Sequence, residues 1–537
     1  MTSFVGPALA SEPGLGPLTL GGLLEQVTAH HRTREAIAFH HPGAPELHWR
    51  YAELRAEVRR LAKALIAAGL DKGTRVGLLM GNRPEWTVAT FAVAMAGGVL
   101  VPLNTLFEPP EIAHVLAHSD TALLIHQRAL ARHHYDDQLR TIEPGLPYLR
   151  RRLCLATPEY DEFLAAGADV ADDELDARQR AVSPHDDALV VYTSGSTGGP
   201  KGVLHSHRAP ALQAWRFAQQ LRLDPSVRTW SAFPFFWTAG FCMVMGATLA
   251  AGGCLVLQEL FDPGEALALL ESERVTSPHA WPHQLAAMED HPDWARRDLS
   301  SLRHVVAFTS LGRHPSVHVD DVWSPRAAYG LTETFTIVTS LPADTPPARR
   351  DGHEGAVLPG NTIRIVDGQT GEALPAGVPG EIRVKGPTLM KGYLKVAPEE
   401  VFDPDGFFPT GDAGFVDDGG MLHWAGRTTD LIKTGGANVS PVEIETELLH
   451  HPDLVAALAV GVPHQTLGEV VVVCAVVHPD RHVDEAGVRT FLRGRLASYK
   501  IPRHVLFFEE SDLVLTGNAK IRTEELRRLA ADRLGVT

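Results

Sequence analysis

Cysteine is scarce in this sequence of 537 residues. The chain contains four cysteines, which are far apart and never form a CxxC pair: Cys154, Cys242, Cys254 and Cys474. Disulfide frameworks and structural zinc sites need paired or closely spaced cysteines, so we expect neither, and the pattern is typical of a reducing compartment. Histidine is plentiful at 27 residues, but no HExxH or similar ligand spacing occurs. We therefore expect most histidines to lie at the surface or in loops.

The sequence also lacks an excess of basic charge. It contains 49 Lys and Arg residues against 65 Asp and Glu residues, which gives a formal net charge of −16. A nucleic-acid-binding surface requires a clustered basic face, so we expect no nucleic-acid partner. The first residues, MTSFVGPALASEPG, have neither a basic start nor a long apolar run. We therefore expect no signal peptide and a cytoplasmic location.

Long apolar runs are rare, and one of them resembles a membrane span. Residues 237–257 carry no charge and are numerous enough to cross a bilayer. The run is rich in alanine and glycine, however, and the Gly252-Gly253 pair interrupts it, which predicts a buried helix, a turn and a short buried strand. Residues 89–103 have the same layout. Buried helices that alternate with short apolar strands predict a layered α/β fold with largely parallel sheets and no membrane span.

The length exceeds what one hydrophobic core supports, so we expect at least two domains. Residues 361–384 form a β-rich part, in which DG, TG and PG turns separate short strands. Residues 429–537 contain their own helices and strands, enough for a small domain. We predict an α/β protein with a large N-terminal domain (1–428), made of layered α/β subdomains and the β-rich part, and a small C-terminal α+β domain (429–537).

Residues 192–202 read YTSGSTGGPKG and follow a predicted strand. Backbone N–H groups of a glycine-rich turn can converge on phosphate oxygens, and the hydroxyl groups and Lys201 would add donors and positive charge. The Walker loop of nucleotide triphosphatases needs GxxxxGK[ST], and the match fails because Pro200 occupies the place of the second glycine. On composition alone, an ordinary Ser/Gly turn without a ligand stays open as an alternative.

Four further motifs follow this loop along the chain. They are YGLTET (329–334), GFFPTGDAG (406–414), GRTTDLIKTGGANVSPVEIE (426–445) and LTGNAKIRTEEL (515–526). With these motifs the chain resembles the adenylate-forming superfamily, which contains acyl-CoA synthetases, adenylation domains of nonribosomal peptide synthetases and beetle luciferases. The resemblance extends from about Leu24 to Leu526 and is closest to the acyl-CoA ligases.

The resemblance implies a two-step reaction. A carboxylate attacks the α-phosphate of ATP, pyrophosphate leaves, and a thiol such as that of coenzyme A then displaces AMP from the acyl-adenylate. The resemblance places the β- and γ-phosphates against the loop residues Thr193, Ser194, Gly195, Ser196, Thr197, Gly198 and Lys201. It assigns the α-phosphate to Thr332 and Mg²⁺ to Glu333, with Thr193 as a second metal contact.

The resemblance also implies a nucleoside site. Tyr329 would stack on adenine with Gly330 beside it. Asp412 would accept hydrogen bonds from both ribose hydroxyls, with Arg427 next to it.

The resemblance implies that the small domain supplies further groups. Lys520, within TGNAKIR, matches the catalytic lysine of the first step, whose ammonium lies between the carboxylate and the α-phosphate. Removing one preorganised donor of this kind costs on the order of 10²–10³ in rate. In the family the small domain rotates between the steps and exchanges this lysine for a face that here contains Lys433, Gly435 and Gly436. The hinge corresponds to Thr429, and we expect a mobile small domain.

The substrate expectation comes from residues 233–240. Relatives that activate amino acids place an aspartate near the start of this stretch, which here reads FPFFWTAG and has no carboxylate, so we expect a hydrophobic acid without an α-amino group. The residues expected around the acyl group are Phe235, Phe236, Trp237, Gly240, Gly330 and Leu331. Plain core packing is an equal alternative for each of them. The predicted function is an acid–thiol ligase that uses ATP and coenzyme A, and the phosphopantetheine of a carrier protein is an alternative thiol.

One segment departs from the family pattern. The segment that frames adenine, SLGRHPSVHVDDVWSPRAA (310–328), is shorter than the resemblance leads us to expect, and Ser310 and Gly312 match the family's turn only loosely. It follows a predicted strand at 302–308. A remodelled purine pocket would favour an alternative function, in which the chain only transfers the acyl group of a preformed acyl-adenylate to a thiol. A non-catalytic binding protein is disfavoured because Glu333 and Lys520 are both present.

Overall fold

The structure is a computed structural model that describes residues 3–41, 46–193, 200–320, 322–427, 432–434, 437–439, 441–465, 467–493, 495–496, 500–509 and 523–536. Two compact units divide the chain. The large unit comprises Val5–Thr362 and Val384–Phe408, and the small unit comprises Met1–Phe4, Ile363–Arg383 and Pro409–Thr537. The expected domain boundary between residues 428 and 429 falls inside the small unit and stays a prediction.

The strands are numbered in chain order. They are β1 (Phe4–Val5), β2 (Glu35–His40), β3 (Leu47–Arg50), β4 (Arg75–Leu79), β5 (Val99–Pro102), β6 (Leu123–His126), β7 (Arg151–Cys154), β8 (Asp187–Thr193), β9 (Lys201–Ser206), β10 (Arg228–Ser231), β11 (Cys254–Gln258), β12 (Ser277–His279), β13 (Ala328–Leu331), β14 (Thr336–Ser340), β15 (Ala356–Val357), β16 (Thr362–Val366), β17 (Gly380–Lys385), β18 (Gly392–Tyr393), β19 (Phe408–Val416), β20 (Leu422–Arg427), β21 (Ile432–Thr434), β22 (Ala437–Val439), β23 (Leu454–His464), β24 (Gly468–Val477) and β25 (His504–Phe507).

The helices are numbered in the same way. They are α1 (Leu20–His31), α2 (Tyr51–Ala67), α3 (Pro84–Ala96), α4 (Pro109–His118), α5 (Tyr135–Ile142), α6 (Pro158–Ala165), α7 (Asp172–Arg180), α8 (Arg208–Gln220), α9 (Ala247–Ala250), α10 (Pro263–Ser272), α11 (Pro282–Glu289), α12 (Ser310–Arg313), α13 (Pro347–Arg350), α14 (Pro441–Leu448), α15 (Glu485–Leu492) and α16 (Thr523–Leu534). A π-helix covers Ala239–Gly246, and short 3-10 helices cover Leu9–Ser11, Glu143–Gly145, Ala166–Asp169, Trp294–Arg296, Thr332–Thr334 and Pro398–Glu400.

The large unit contains two mostly parallel sheets. One has the strand order β18-β9-β8-β5-β4-β6-β7, in which β4 to β8 are parallel and β9 returns antiparallel to β8. The other has the order β12-β10-β11-β2-β3, and only the β2–β3 pair is antiparallel. Helices between successive strands supply the crossovers that parallel pairs need. The predicted layered α/β fold is confirmed.

The apolar runs of the sequence lie in the interior of the large unit. Helix α3 is buried along its whole length except at Glu85 and ends at Ala96, where Gly97 caps it with a φ of 87°, in the left-handed region. A helix without a polar face must lie inside the protein. The predicted helix, turn and strand of residues 237–257 are confirmed as well, except that the first eight helical residues form a π-helix. Among the described residues, no helix combines the length and the apolarity that crossing a membrane requires.

The predicted strand at residues 302–308 is wrong. The backbone N–H groups of Arg303 and His304 both donate to the carbonyl of Thr276 at 2.9 Å, and the chain then turns through Val306 and Thr309. Because the chain turns directly after this contact, residues 302–308 pair with no strand, and the apolar run packs as an irregular segment.

The small unit has an α+β architecture of its own. One sheet has the order β1-β16-β17-β19-β20, and the other contains β22-β21-β24-β23 with β25 parallel to β24. The long hairpin of β23 and β24 buries the valine-rich run 470–473, against which α14 and α16 pack. The prediction that residues 429–537 contain helices and strands of their own is confirmed by α14, β23 and β24, and the expected mobility of this part stays a prediction.

Candidate active site

A hairpin flanks the glycine-rich loop. Strand β8 ends at Thr193, β9 begins at Lys201, and these two residues are cross-strand partners. The antiparallel register therefore returns Lys201 to the end of the strand that precedes the loop. The predicted strand before the loop is confirmed, whereas the strand after it was not predicted from the sequence. The loop residues Ser194, Gly195, Ser196, Thr197 and Gly198 lie outside the described residues.

The motif YGLTET forms a strand end, one 3-10 turn and a strained exit. Phe335 and Thr336, which follow the motif's turn, have φ angles of 49° and 90°, a region that residues with side chains seldom adopt. The strand β13 bulges between Tyr329 and Gly330, and a Cβ atom at Gly330 would lie 1.8 Å from the carbonyl oxygen of Thr336. Only glycine fits at that position, and backbone strain of this kind concentrates at functional sites.

Buried polar groups hold the 3-10 turn in place. His205, on β9, is fully buried, and its Nε2–H donates to the carbonyl of Thr332 at 2.8 Å. Burial lowers the pKa of His205 to about 4, so the imidazole is neutral at physiological pH. The Gln213 amide donates to the carbonyls of Thr334 (3.2 Å) and Ile337 (2.8 Å). The backbone of Thr332 and Glu333 is thereby fixed against β9 and α8.

Tyr393 joins the two halves of the predicted phosphate site. Its strand, β18, pairs with β9, which places Tyr393 opposite Val203. The Nζ atom of Lys201 lies 5.2 Å from the centre of the Tyr393 ring, a cation–π contact. The Tyr393 hydroxyl donates to Oε1 of Glu333 at 2.7 Å, and the N–H of Met390 donates to the Glu333 carbonyl at 2.7 Å. Tyr393 was not predicted from the sequence, where a single lysine, Lys391, precedes its Gly-Tyr strand and no motif marks it.

The segment expected to frame adenine is a single helical turn. Helix α12 begins after Thr309, whose side chain accepts from the N–H of Gly312 at 3.2 Å, and a Cβ atom at Gly312 would lie 2.4 Å from the carbonyl oxygen of Val306. The Ser310 hydroxyl donates to the carboxylate of Glu289 on α11. Tyr329, the expected adenine contact, is buried to 8% exposure. These contacts show where Ser310 and Gly312 lie, and their expected role beside adenine stays a prediction.

The residues expected around the acyl group differ in burial. Phe235 is 1% exposed and packs edge-on against Trp86, and Phe236 is 5% exposed. Trp237 is only partly buried and contacts the rings of Phe236 and Trp281 in T-shaped geometry, with centroids 5.3 and 6.3 Å away. The burial of Phe235 matches a core residue, while Trp237 and Trp281 form an aromatic surface open to solvent.

Gly240 and Leu331 also belong to the residues expected around the acyl group. A Cβ atom at Gly240 would lie 2.1 Å from the carbonyl oxygen of Pro234, which explains the glycine at that position. Leu331 is partly buried at the end of β13. The π-helix brings Sγ of Cys242 to 3.4 Å from Oγ1 of Thr336. Burial raises the pKa of the Cys242 thiol to about 12, so this thiol stays protonated and is a poor nucleophile.

The small unit holds the expected ribose pair. Asp412 on β19 and Arg427 on β20 are cross-strand partners, and Asp412 is buried to 3% exposure. The Thr410 hydroxyl accepts from the N–H of Asp412 at 3.1 Å. Lys433 lies on β21, opposite Asn438. The residues Thr429, Gly435, Gly436 and Lys520 lie outside the described residues.

Comparison with known proteins identifies related sequences over nearly the whole chain. The profile of the AMP-binding enzyme family matches residues 24–394, and that of the AMP-binding enzyme C-terminal domain matches residues 443–520. A feruloyl-CoA synthase from Amycolatopsis sp. is 35% identical over 498 residues, which cover 89% of this chain and 93% of the relative. An indoleacetate–CoA ligase from Aromatoleum aromaticum is 33% identical over 497 residues, covering 91% of this chain and 94% of the relative.

Solved structures agree with the sequence relatives. An anthranilate CoA ligase, AuaEII, in complex with anthranoyl-AMP, superposes with a TM-score of 0.79 at 25% identity, covering 97% of this chain and 99% of that one. ATP-bound MatB from Rhodopseudomonas palustris superposes with a TM-score of 0.76 at 28% identity, covering 96% and 99%. The resemblance drawn from the motifs is confirmed. The chain belongs to the AMP-binding enzyme family and is an AMP-forming acid–thiol ligase of the acyl-CoA synthetase type.

Proposed function

We propose that this enzyme activates a hydrophobic carboxylic acid without an α-amino group, as an acyl-adenylate, and transfers the acyl group to coenzyme A. The observation that supports the phosphate site is the contact chain from Lys201 through Tyr393 to Glu333. A cation, a hydroxyl donor and a carboxylate meet there beside a glycine-rich loop, as binding of a magnesium–polyphosphate requires.

The first step is an exchange at phosphorus. An oxygen of the substrate carboxylate bonds to the α-phosphorus of ATP, and the bond from that phosphorus to the pyrophosphate oxygen breaks. Lys201 and the Thr193 hydroxyl, which flank the loop as cross-strand partners, would bind the β- and γ-phosphates, and Thr332 would bind the α-phosphate. Glu333 and Thr193 would hold Mg²⁺, which neutralises phosphate charge when bound. Oxygen ligands from a partly exposed carboxylate suit this ion.

The second step is an exchange at carbon. The sulfur of coenzyme A bonds to the acyl carbonyl carbon, the bond to the AMP oxygen breaks, and the thiol proton goes to solvent. Lys520 would bridge the reacting anions in the first step. In the second step, rotation of the small domain would replace Lys520 by the face with Lys433, Gly435 and Gly436. The two glycines, which have no side chains, would admit the thiol. Ribose hydroxyls would bind Asp412, with Arg427 adjacent.

We further propose that the acid is aromatic. The exposed edge of Trp281, which is 37% exposed, and the partly buried ring of Trp237 form a surface with Phe233, whose ring centre lies 4.5 Å from that of Trp281. Aromatic rings pair favourably with such surfaces in stacked or edge-on geometry. Three of the relatives are named for aromatic acids, namely ferulate, indoleacetate and anthranilate.

A second candidate function follows from the adenine side. The single turn of α12 and the irregular residues 302–308 leave fewer elements to frame a purine than the motif pattern leads us to expect. A chain with a weakened purine site would accept a preformed acyl-adenylate and perform only the thiol transfer.

The experiment measures each half-reaction separately. Acid-dependent exchange of pyrophosphate into ATP reports the first step, and AMP release with and without coenzyme A reports the second. We expect exchange with ferulate, indoleacetate and cinnamate, and weaker exchange with decanoate as the aliphatic control. If pyrophosphate exchange is absent while synthetic feruloyl-AMP still yields the thioester, the result supports the second candidate and contradicts the two-step reaction.

The thiol and the specificity are tested in parallel assays. Mass spectrometry of products formed with coenzyme A and with a phosphopantetheinylated carrier protein identifies the acceptor, and we expect acyl-CoA. A Trp237→Ala variant should lower kcat/KM for aromatic acids by about 2–10-fold relative to decanoate, since loss of an aromatic contact costs about 0.5–1.5 kcal/mol. An equal loss for both acid types would contradict the aromatic assignment.

A further inference from the structure

Two histidines and a glutamate converge on one face of the second sheet of the large unit. His40 ends β2, His48 lies on β3, and Glu273 follows the last residue of α10. Nε2 of His40 lies 2.7 Å from Oε1 of Glu273, and Nε2 of His48 lies 3.8 Å from the same oxygen. One nitrogen or oxygen from each residue falls within 4.8 Å of the others.

The register of the hairpin explains this convergence. His48 pairs with Ala38 across the β2–β3 hairpin, and side chains two residues apart on a strand point to the same face. His40 and His48 therefore share one face, the face on which Ala38 packs against residues of α10 such as Leu270. The three groups come from distant parts of the sequence, and the spacing rules for metal motifs could not find them.

Each of the three groups is oriented by another charged side chain. Glu35 contacts Nδ1 of His48 at 2.5 Å, and Glu46 contacts Nδ1 of His40 at 3.3 Å. Arg228 forms an ion pair with Oε2 of Glu273 and another with Glu35. Carboxylates on the Nδ1–H of an imidazole direct the lone pair of Nε2 towards the opposite side. Metal-binding histidines have this arrangement, with an outer carboxylate on the second ring nitrogen.

We propose that His40, His48 and Glu273 bind a divalent transition-metal ion of the zinc type, through Nε2, Nε2 and Oε1. Metal bonds of about 2.0–2.1 Å in a tetrahedral site separate the ligand atoms by about 3.3 Å. The observed separations of 2.7 and 3.8 Å lie on either side of this value. The proton that His40 shares with Glu273 would leave to solvent when the ion binds. A water molecule would complete the coordination.

The local charge favours a dication. Three carboxylates, Glu35, Glu46 and Glu273, face one guanidinium, that of Arg228, around the two imidazoles. Glu273 is 8% exposed at its side chain, and buried carboxylates need compensating positive charge.

A second cluster in the same unit shows the contrast. His126, Asp136 and Cys154 also lie within 4.8 Å of one another, but Asp136 forms ion pairs with Arg152 (2.6 Å) and Arg140 (2.9 Å). Two guanidinium groups neutralise that carboxylate and repel a cation, so we assign no metal to it.

The test is a titration of the full-length, tag-free chain with ZnCl₂, without nucleotide. Calorimetry should show one specific zinc ion per chain, and Co²⁺ in its place should give the visible absorption of a tetrahedral site. His48→Gln should abolish this binding. Glu46→Gln, at an exposed outer carboxylate, should weaken it by about 10–100-fold. His482→Gln is the matched control at an exposed histidine, and it should bind as the unaltered chain does.

Thermal unfolding provides a second readout that does not depend on ligase activity. Zinc should raise the melting temperature of the unaltered chain and of His482→Gln, but not that of His48→Gln. Absence of specific zinc binding in the unaltered chain would overturn the proposal. Unchanged affinity in both His48→Gln and Glu46→Gln would overturn it as well, and the second variant keeps the test valid if the first folds poorly.

Discussion

At the scale of single residues, the hydroxyl of Tyr393 organises the phosphate end of the site. It donates to Glu333, while its ring contacts the Lys201 ammonium, so one side chain positions both a carboxylate and a cation. A hydrogen bond to a charged group contributes more than one between neutral groups, because the ionised partner strengthens it. Tyr393 is thus a positioning residue for the groups expected to bind phosphate and Mg²⁺.

We predict that Tyr393→Phe lowers the rate of pyrophosphate exchange by about 10–100-fold, since hydrogen bonds to charged groups are worth about 1.5–3 kcal/mol. The ring contact with Lys201 would persist, and the melting temperature should change little. The Mg²⁺ concentration for half-maximal exchange should rise, a readout that a purely structural role would leave unchanged. Tyr148→Phe, at a tyrosine that is 55% exposed, is the matched control. Equal exchange rates in both variants would contradict this role.

At the scale of elements, the strained exit of YGLTET determines where Thr332 and Glu333 lie. The bulge at Gly330, the 3-10 turn and the left-handed residues Phe335 and Thr336 form one tight unit. His205 and Gln213 bond to its carbonyls from β9 and α8. Such a unit accepts little change, because any shift would leave buried donors without partners.

We predict that Gly330→Ala abolishes most adenylation activity and lowers the free energy of unfolding by about 1–3 kcal/mol, the usual cost of overpacking. The added Cβ atom would meet the Thr336 carbonyl oxygen 1.8 Å away. Thermal unfolding and pyrophosphate exchange measure the two effects. Gly368→Ala is the control, because a Cβ atom there meets nothing within 4 Å. Unchanged pyrophosphate exchange in Gly330→Ala would contradict this prediction, because the turn would then tolerate the added methyl group.

At the scale of the whole molecule, the proposed chemistry needs groups from both units. Lys520 comes from the small unit, and Lys201 and Glu333 come from the large unit. If the small domain exchanges its faces between the steps, a variant of Lys520 should affect the first half-reaction and leave the second unchanged.

We predict that Lys520→Ala lowers adenylation by on the order of 10²–10³ and leaves thioester formation from synthetic acyl-adenylate nearly unchanged. Lys72→Ala is the control, since this lysine is 54% exposed and pairs with Asp186 at 2.6 Å. Separate assays of the two half-reactions provide the measurement. A parallel loss of both would contradict an exchange of catalytic faces.

Buried histidines make stability depend on pH. Burial lowers the pKa values of His126, His205, His207 and His279 to about 4 from the ordinary 6.5. Their contribution to stability is fully present above pH 6.5, and it is lost as the pH falls from 6.5 towards 4, because only the unfolded chain binds the protons in that window. Each histidine contributes a slope of about 1.4 kcal/mol per pH unit within it.

We predict that the melting temperature falls steadily between pH 6.5 and pH 4.5 and that unfolding takes up several protons per chain at pH 5.5. Calorimetry in buffers of different ionisation enthalpy measures this uptake. His279→Gln should reduce it by about one proton. A melting temperature that is constant down to pH 5 would contradict neutral burial of these groups.

The sequence by itself determined the family, the reaction class and several of the elements. Motif order and hydrophobic periodicity are properties of short segments, and they suffice to predict α3, the β8 strand before the loop and the strand β11 after Gly252-Gly253. The helix at 239–246 was predicted too, but its π form was not, because helix type depends on how the turn packs.

The tertiary structure alone decided which distant residues meet. Tyr393 reaches Glu333 only because β18 pairs with β9, and His40 reaches Glu273 only because the β2–β3 register and α10 bring them to one face. The run at 302–308 forms no strand because the chain turns at Val306 directly after its contact with Thr276. Pairing between segments far apart in the chain depends on the packing of whole sheets, and no local pattern contains that information.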